Sequence, residues 1–170
     1  MGDSLSIIFA TIVAAIIMFL FPMIDTWERQ DDLSYMAAYT AVVDTVDAVR
    51  NTGRLTDDMY NDLLSVITTT GNRFDIQMEH REYVVVPNGA GNYEMVYVTH
   101  YTDEILSHLE SASKNNEYIE FNKGDFFYIS IKNTNKTQAT MLKQTLYGAK
   151  METFKIGVPY GGQIRNEYGL

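Results

Sequence analysis

The chain of 170 residues sets 13 Lys and Arg against 22 Asp and Glu, a formal net charge of −9, and it contains no cysteine. With no basic stripe to displace counterions from phosphates, nucleic acid and anionic membrane surfaces are excluded as natural partners, and the lack of thiols excludes a disulfide framework, a thiolate metal site and a cysteine nucleophile together. The 46% hydrophobic content suffices for one soluble core, in a domain of about 145 residues once an apolar N-terminus is subtracted.

That N-terminus comes first. The twenty residues from 5 to 24, "LSIIFATIVAAIIMFLFPMI", hold no charge, and at about 1.5 Å per helical residue they match a hydrocarbon core of about 30 Å. The hydroxyls of Ser6 and Thr11 do not break the run, because each can bond to its own helix backbone. The preceding "MGDSL" has no Lys or Arg, unlike the basic leader of a removed secretory signal, so the expectation is a span that is kept. "MGDSLS" also fits a myristoylation pattern through Gly2 and Ser6, but a spanning helix beginning next to it makes a lipid redundant.

The chain then turns charged at "DTWERQDD", yet no glycine or turn cluster interrupts it before apolar residues recur at Met36, Tyr39, Val43 and Val46. Spacings of three and four place these on one helical stripe, and Gly53 in "RNTG" is a natural left-handed stop. The expectation is one rod on the order of 70 Å long from residue 5 to 52, with Pro22 as its kink site. Residues 1–30 form an apolar membrane or filament-core segment. Residues 31–170 form a head that includes the amphipathic half of the rod.

The head reads as α+β. Thr56 caps a second helix, "DDMYNDLLSVITTT", with Leu63, Leu64 and Ile67 inward and Gly71 as its stop. "FDIQMEH" and "YVVV", the turn "PNGAGN" and "YEMVYVTHY" form a hairpin. Thr102 caps "DEILSHLESAS", with Ile105, Leu106 and Leu109 inward. "EYIEF", the turn "NKGD" and "FFYISIKN" give a second hairpin, Thr137 caps a last helix, and "TFKIGV" is an edge or closing strand before a glycine-containing tail. This order suggests an antiparallel sheet of four or five strands laid on the second half of the rod.

The residues that carry chemistry do not converge. Closing the first hairpin with Val86 opposite Tyr93 pairs His80 with Thr99 and His100 with Glu79, so the two histidines point to opposite faces. His108 sits on a helix with no partner at metal-ligand spacing. There is no nucleophile elbow, P-loop or dinucleotide glycine pattern. Asp25, Glu28, Asp31 and Asp32 lie around a helix rather than in a calcium loop and read as a solvated collar. Asn135 in "NKT" fits a glycosylation pattern, which matters only in a eukaryotic secretory pathway. Tyr60, Tyr101, Tyr118, Tyr128 and Tyr160 suit either an adhesive surface or ordinary amphipathic positions. No cofactor, metal or catalytic residue is expected, and the chain reads as a non-enzyme. A monomeric membrane-anchored binding or sensor domain is the second reading, and a membrane-tethered hydrolase the third.

Three segments, "GDSLSIIFATIVAAIIMFLFP", "VDAVRNTGRLTDDMYNDLLSVITTTGNRFDIQMEH" and "GDFFYISIKNTNKTQATML", resemble type IV pilin-like subunits, most closely the pilin-like proteins beside tight-adherence (Tad) type secretion systems of Gram-positive bacteria. The resemblance implies membrane insertion, extraction by an assembly platform and an ATPase, and packing into an extracellular helical filament of identical subunits. The implied assembly surface is Asp3, Leu5, Ile8, Ala14, Ile17, Phe21 and Pro22. Pilins carry a glutamate at the fifth position of the mature chain, where this sequence has Leu5, so the role of offsetting a neighbour's amino terminus passes to Asp3, the only acid among residues 1–24.

Overall fold

The computed structural model describes residues 2–89, 91–148 and 156–167, with side chains from residue 4 onward. The fold is α+β, as the sequence implies. Its first element, α1, is one unbroken helix from Gly2 to Thr52 that continues through Pro22. It ends where expected: Gly53 takes φ +67° and its N–H reaches the Val49 carbonyl at 2.8 Å.

Two short strands follow the rod's end, β1 (Arg54–Leu55) and, much later in the chain, β4 (Ile119–Glu120), which pair with each other. Between them lie α2 (Asp57–Thr69), β2 (Phe74–Pro87), β3 (Tyr93–Tyr101) and α3 (Thr102–Lys114), and after them β5 (Phe126–Asn133), α4 (Gln138–Tyr147) and β6 (Gly157–Gln163). The main sheet is antiparallel with strand order β3-β2-β5-β6. Thr56 and Thr137 cap their helices, accepting from Met59 N at 3.2 Å and Thr140 N at 3.3 Å, as the local sequence requires.

One face of the sheet is covered and the other is largely exposed, the usual state of an antiparallel sheet in an α+β head. On the covered face Met78, Phe127, Ile129, Ile131 and Val158 meet Ala38, Val42, Val46 and Val49 of α1, with Leu63 and Ile67 of α2 and Ile105 and Leu109 of α3 completing the core. The positions on α1 recur every three or four residues, and all four are small or β-branched. That lets the helix axis approach the strands closely. The same closeness shows at Gly162, where an added Cβ would lie 2.5 Å from the Arg50 guanidinium, and at Gly161, where it would lie 2.8 Å from the Phe127 carbonyl. The C-terminal end of α1 is held by the tail: the N–H groups of Arg165 and Asn166 donate to the Arg50 carbonyl and that of Glu167 to the Asn51 carbonyl, which occupies groups a helix end otherwise leaves unpaired.

Several expectations are corrected. Of the expected stripe, Val46 is buried and Val43 half-buried, but Met36 and Tyr39 do not face the head and are exposed, at 63% and 45%; ahead of Val46 the buried positions, Ala38 and Val42, are each shifted by one residue, about 100° of helix. The first hairpin closes with Val86 opposite Glu94, not Tyr93, so His80 lies directly opposite His100 and both point to one face. The cause is the loop, which runs from Asn88 to Asn92 with the Asn88 N–H on the Asn92 carbonyl at 2.7 Å and takes positive φ at Gly89 and Gly91. The second hairpin does not form. Ile119–Glu120 pairs with β1, because both sides of β5 are already taken by β2 and β6. Thr102 is the first residue of α3 rather than its cap, and its hydroxyl bridges to the Met78 N–H at 2.8 Å. The last strand starts at Gly157 and takes in part of the expected tail, while residues 153–155 of the expected strand lie outside the described residues.

Two glycines with positive φ separate backbone strain from crowding. Gly89 at φ +51° faces open space, whereas a Cβ on Gly53 would lie 2.8 Å from Asn166 Cγ. Gly89→Ala is expected to cost about 1 kcal/mol and Gly53→Ala clearly more, since it adds a clash to the strain. Thermal unfolding of the detergent-solubilised chain measures both, and equal losses would contradict this account of the α1 terminus.

Candidate functional site

The first candidate is the free half of α1. Leu5, Ile8, Ala14, Ile17, Phe21 and Pro22, expected to form an assembly surface, are all exposed; the side chain of Asp3 lies outside the described residues. Only 6% of the most apolar 18-residue window of this helix is buried, and by length and composition the helix can cross a membrane. The surface is suited to a dry environment. The Thr11 hydroxyl donates to the Ile7 carbonyl and that of Thr26 to the Pro22 carbonyl, both at 2.8 Å, which satisfies them within the helix. Ser6, expected to do the same, makes no such bond among the described residues.

Apolar exposure does not stop where charge begins. Leu33, Met36 and Tyr39 remain uncovered on α1, at about 14 to 22 Å beyond the end of the uncharged run, counting 1.5 Å per residue. A shallow cavity of about 410 Å³ runs along Leu33, Met36, Thr40 and Val66 of α2. The acidic collar is only partly solvated. Asp25 forms an exposed pair with Arg29 at 3.0 Å, but Glu28 pairs with Lys143, and Asp31 is buried and accepts from the Thr137 hydroxyl at 2.8 Å. Two of the four acids therefore dock α4 onto the rod rather than face water.

The second candidate is a cavity of about 200 Å³ where His80, His100 and His108 meet Glu82, Glu104 and Glu120. The sequence pattern conceals this convergence because a hairpin register one residue off separates the histidines. His80 Nε2 lies 3.0 Å from Asp125 Oδ2, and the rings of His80 and His100 stack at 5.6 Å. His100 sits 2.9 Å from Glu104 and 3.7 Å from Glu82. Asp125 also accepts from Asn122 N at 2.9 Å and Tyr83 N at 3.3 Å, so it ties the turn before β5 to β2. A His–Asp pair is the base and orienter of a nucleophilic site, but among the described residues no hydroxyl or thiol side chain lines this cavity. Among the described residues no group of three His, Asp or Glu side chains has the geometry to hold a metal ion.

Asn135, in the glycosylation pattern, uses its side chain structurally: Oδ1 accepts from Arg73 N at 2.7 Å and Nδ2 donates to Asn72 Oδ1 at 3.0 Å. The tyrosines divide in the same way. Tyr60 packs against the core and Tyr160 donates to Asp47 at 3.2 Å, while Tyr101 is exposed. The end of the β2–β3 hairpin is a third exposed surface, with Val85, Tyr93, Met95 and Tyr97 uncovered.

No family model matches the chain, and no curated protein and no solved structure matches it.

On that hairpin the Tyr83 and Tyr97 hydroxyls share a hydrogen bond across the strands. That bond first, and desolvation second, raise the Tyr83 pKa above its ordinary 10.0. The stabilisation is therefore present below about pH 10, where the unfolded phenol begins to ionise, and is lost as pH rises through the higher folded value. Tyr97→Phe should bring Tyr83 ionisation back toward the ordinary range in an ultraviolet absorbance titration. An unchanged titration curve would contradict a shared bond.

Proposed function

We propose that this chain is a non-enzymatic structural subunit of an extracellular type IV pilin-like filament, inserted in the membrane before assembly and drawn into the filament by an assembly platform and its ATPase. The observation that carries the reading is the exposed apolar stripe of α1 that continues past the span through Leu33, Met36 and Tyr39. A membrane anchor needs an apolar surface only as deep as the bilayer, about 30 Å. Apolar side chains on the same rod beyond that depth call for a protein neighbour, and copies of the same rod, stacked with an axial offset, supply one.

Rigidity supports the same conclusion. One helix without a break joins the free half to a half clamped by sheet, α2, α4 and the C-terminal tail, so the head is held in a fixed relation to the packing surface. In a helical assembly that fixed relation sets the spacing of heads on the outside. The extracellular location, the platform and the ATPase follow from the resemblance to Tad-type pilin-like proteins.

The test is electron microscopy of material sheared from cells, with two variants that separate membrane from assembly. Ile17→Lys places a charge in the apolar run, at a cost of at least about 2.5 kcal/mol on insertion scales, and should abolish fibres. Met36→Lys lies outside the span and should leave insertion and head folding intact while removing or shortening fibres. Normal fibres from both variants, or wild-type chain found only in the membrane fraction, would refute the filament reading.

A further inference from the structure

The two edges of the main sheet are unlike. The β6 edge carries Pro159 between Gly157 and the pair Gly161–Gly162, a proline and glycines being devices that blunt an edge. The β3 edge has no such guard. Tyr93–Tyr101 is nine residues long, contains no proline, lysine or glycine, and among the described residues is hydrogen-bonded on one side only, to β2.

Its outward groups can be assigned from both ends of the strand. At the loop, the Asn88 N–H bonds the Asn92 carbonyl; at the other end the Thr102 hydroxyl takes the bonds of the Met78 backbone that faces β3. Since hydrogen-bonded and non-bonded pairs alternate along an antiparallel ladder, the even-numbered residues of β3 bond to β2. The N–H and C=O groups of Tyr93, Met95, Tyr97, Thr99 and Tyr101 point away from the sheet.

The sequence of this edge is close to a palindrome about Tyr97. Reading outward, Val96 matches Val98, Met95 matches Thr99, Glu94 matches His100, and Tyr93 matches Tyr101. We propose that β3 is a docking edge for the β3 of a second copy of this chain, the two strands pairing antiparallel about a two-fold axis at Tyr97. In this register all nine residues of each strand are paired, the outward groups of Tyr97 bond to those of its twin, and each Glu94 lies opposite a His100 rather than another acid. The exposed valines and tyrosines meet in cross-strand pairs of the kind that stabilise sheets, and the Tyr83–Tyr97 contact, with rings 4.2 Å apart, extends into a ladder of four tyrosines. Main-chain pairing supplies the adhesion and the palindrome supplies the register.

The pairing stands on β3 and not on the filament reading. A two-fold axis normal to the sheet reverses directions within its plane, and α1 lies on the face of that sheet. The two rods of a pair therefore leave in opposite directions, so the partners come from two separate filaments or two facing membranes, not from neighbours in one bundle.

The absence of cysteine allows a test on the full chain in detergent micelles with single thiols. Hydrogen-bonded antiparallel partners have Cα atoms about 5.5 Å apart, inside the disulfide range, so Tyr97→Cys should oxidise to a symmetric dimer. Met95→Cys has its twin four residues away, about 13 Å, and should dimerise roughly tenfold more slowly or worse, because only facing thiols have a high effective concentration. An equal mixture of Met95→Cys and Thr99→Cys chains, which keeps Tyr97, should give the mixed dimer at the fast rate. Adding Ile17→Lys to Tyr97→Cys should leave the cross-link unchanged even as fibres are lost. Equal rates for the Met95→Cys and Tyr97→Cys homodimers, no dimer from any variant, or loss of the Tyr97→Cys dimer when Ile17→Lys is added would each overturn the proposal.

Discussion

A single helix in this chain must meet two demands that conflict in most proteins: one half is apolar on nearly every side, and the other must pack against a head. What reconciles them is the small-residue stripe of Ala38, Val42, Val46 and Val49. Because these side chains are short, α1 lies close to β5 and β6 and forms the core with one side only, leaving Leu33, Met36 and Tyr39 uncovered on its other side, among Asp32, Thr40 and Asp44. Had the large residues Met36 and Tyr39 faced the sheet, the head would have consumed the stripe, and the free half would have been a plain anchor. The glycine pair Gly161–Gly162, which admits Arg50 and the neighbouring strand at close range, belongs to the same arrangement.

The contacts that lock rod to head cluster at the two ends of the amphipathic half. Near the collar, Asp31 and Glu28 hold α4 through Thr137 and Lys143. At the far end the Arg50 and Asn51 carbonyls receive the tail, the Arg50 side chain donates to the Gln163 carbonyl at 3.2 Å, and the Tyr160 hydroxyl donates to Asp47 at 3.2 Å. Buried hydrogen bonds of this kind contribute about 1 kcal/mol each and cost more when one partner is lost. Their placement matters more than their sum, since a helix held at both ends transmits the orientation of its free half to the head.

Much of this is legible in the residues. The cap threonines Thr56 and Thr137, the stop at Gly53 and the uncharged run all act locally, through hydrogen bonds or φ preferences within a few residues, so sequence order displays them. Three features are not legible. Helical period fixes the spacing of a stripe but not which of two neighbouring stripes faces the head, and the larger side chains at Met36 and Tyr39 point to the wrong one. Hairpin register depends on whether the loop holds an even or odd number of residues, and the five-residue loop from Asn88 to Asn92 brings both histidines onto one face. The β1–β4 pair brings Arg54 opposite Glu120, a contact set by tertiary closure that two-residue strands cannot signal. Sequence pattern therefore identifies the Met36 and Tyr39 stripe of α1 correctly as apolar and incorrectly as core, and its exposure is what bears on function.

The central claim is that this stripe packs against copies of itself outside the bilayer. The most direct measurement uses a single thiol at Met36→Cys, with a short bifunctional maleimide applied to material sheared from cells and resolved by denaturing electrophoresis. Subunits packed along their rods predict a cross-linked product of two copies, the largest that one thiol per chain allows, which vanishes when the thiol is placed instead by His108→Cys, on the surface of α3. Monomer alone from the Met36→Cys material, or an identical pattern from both positions, would contradict the account.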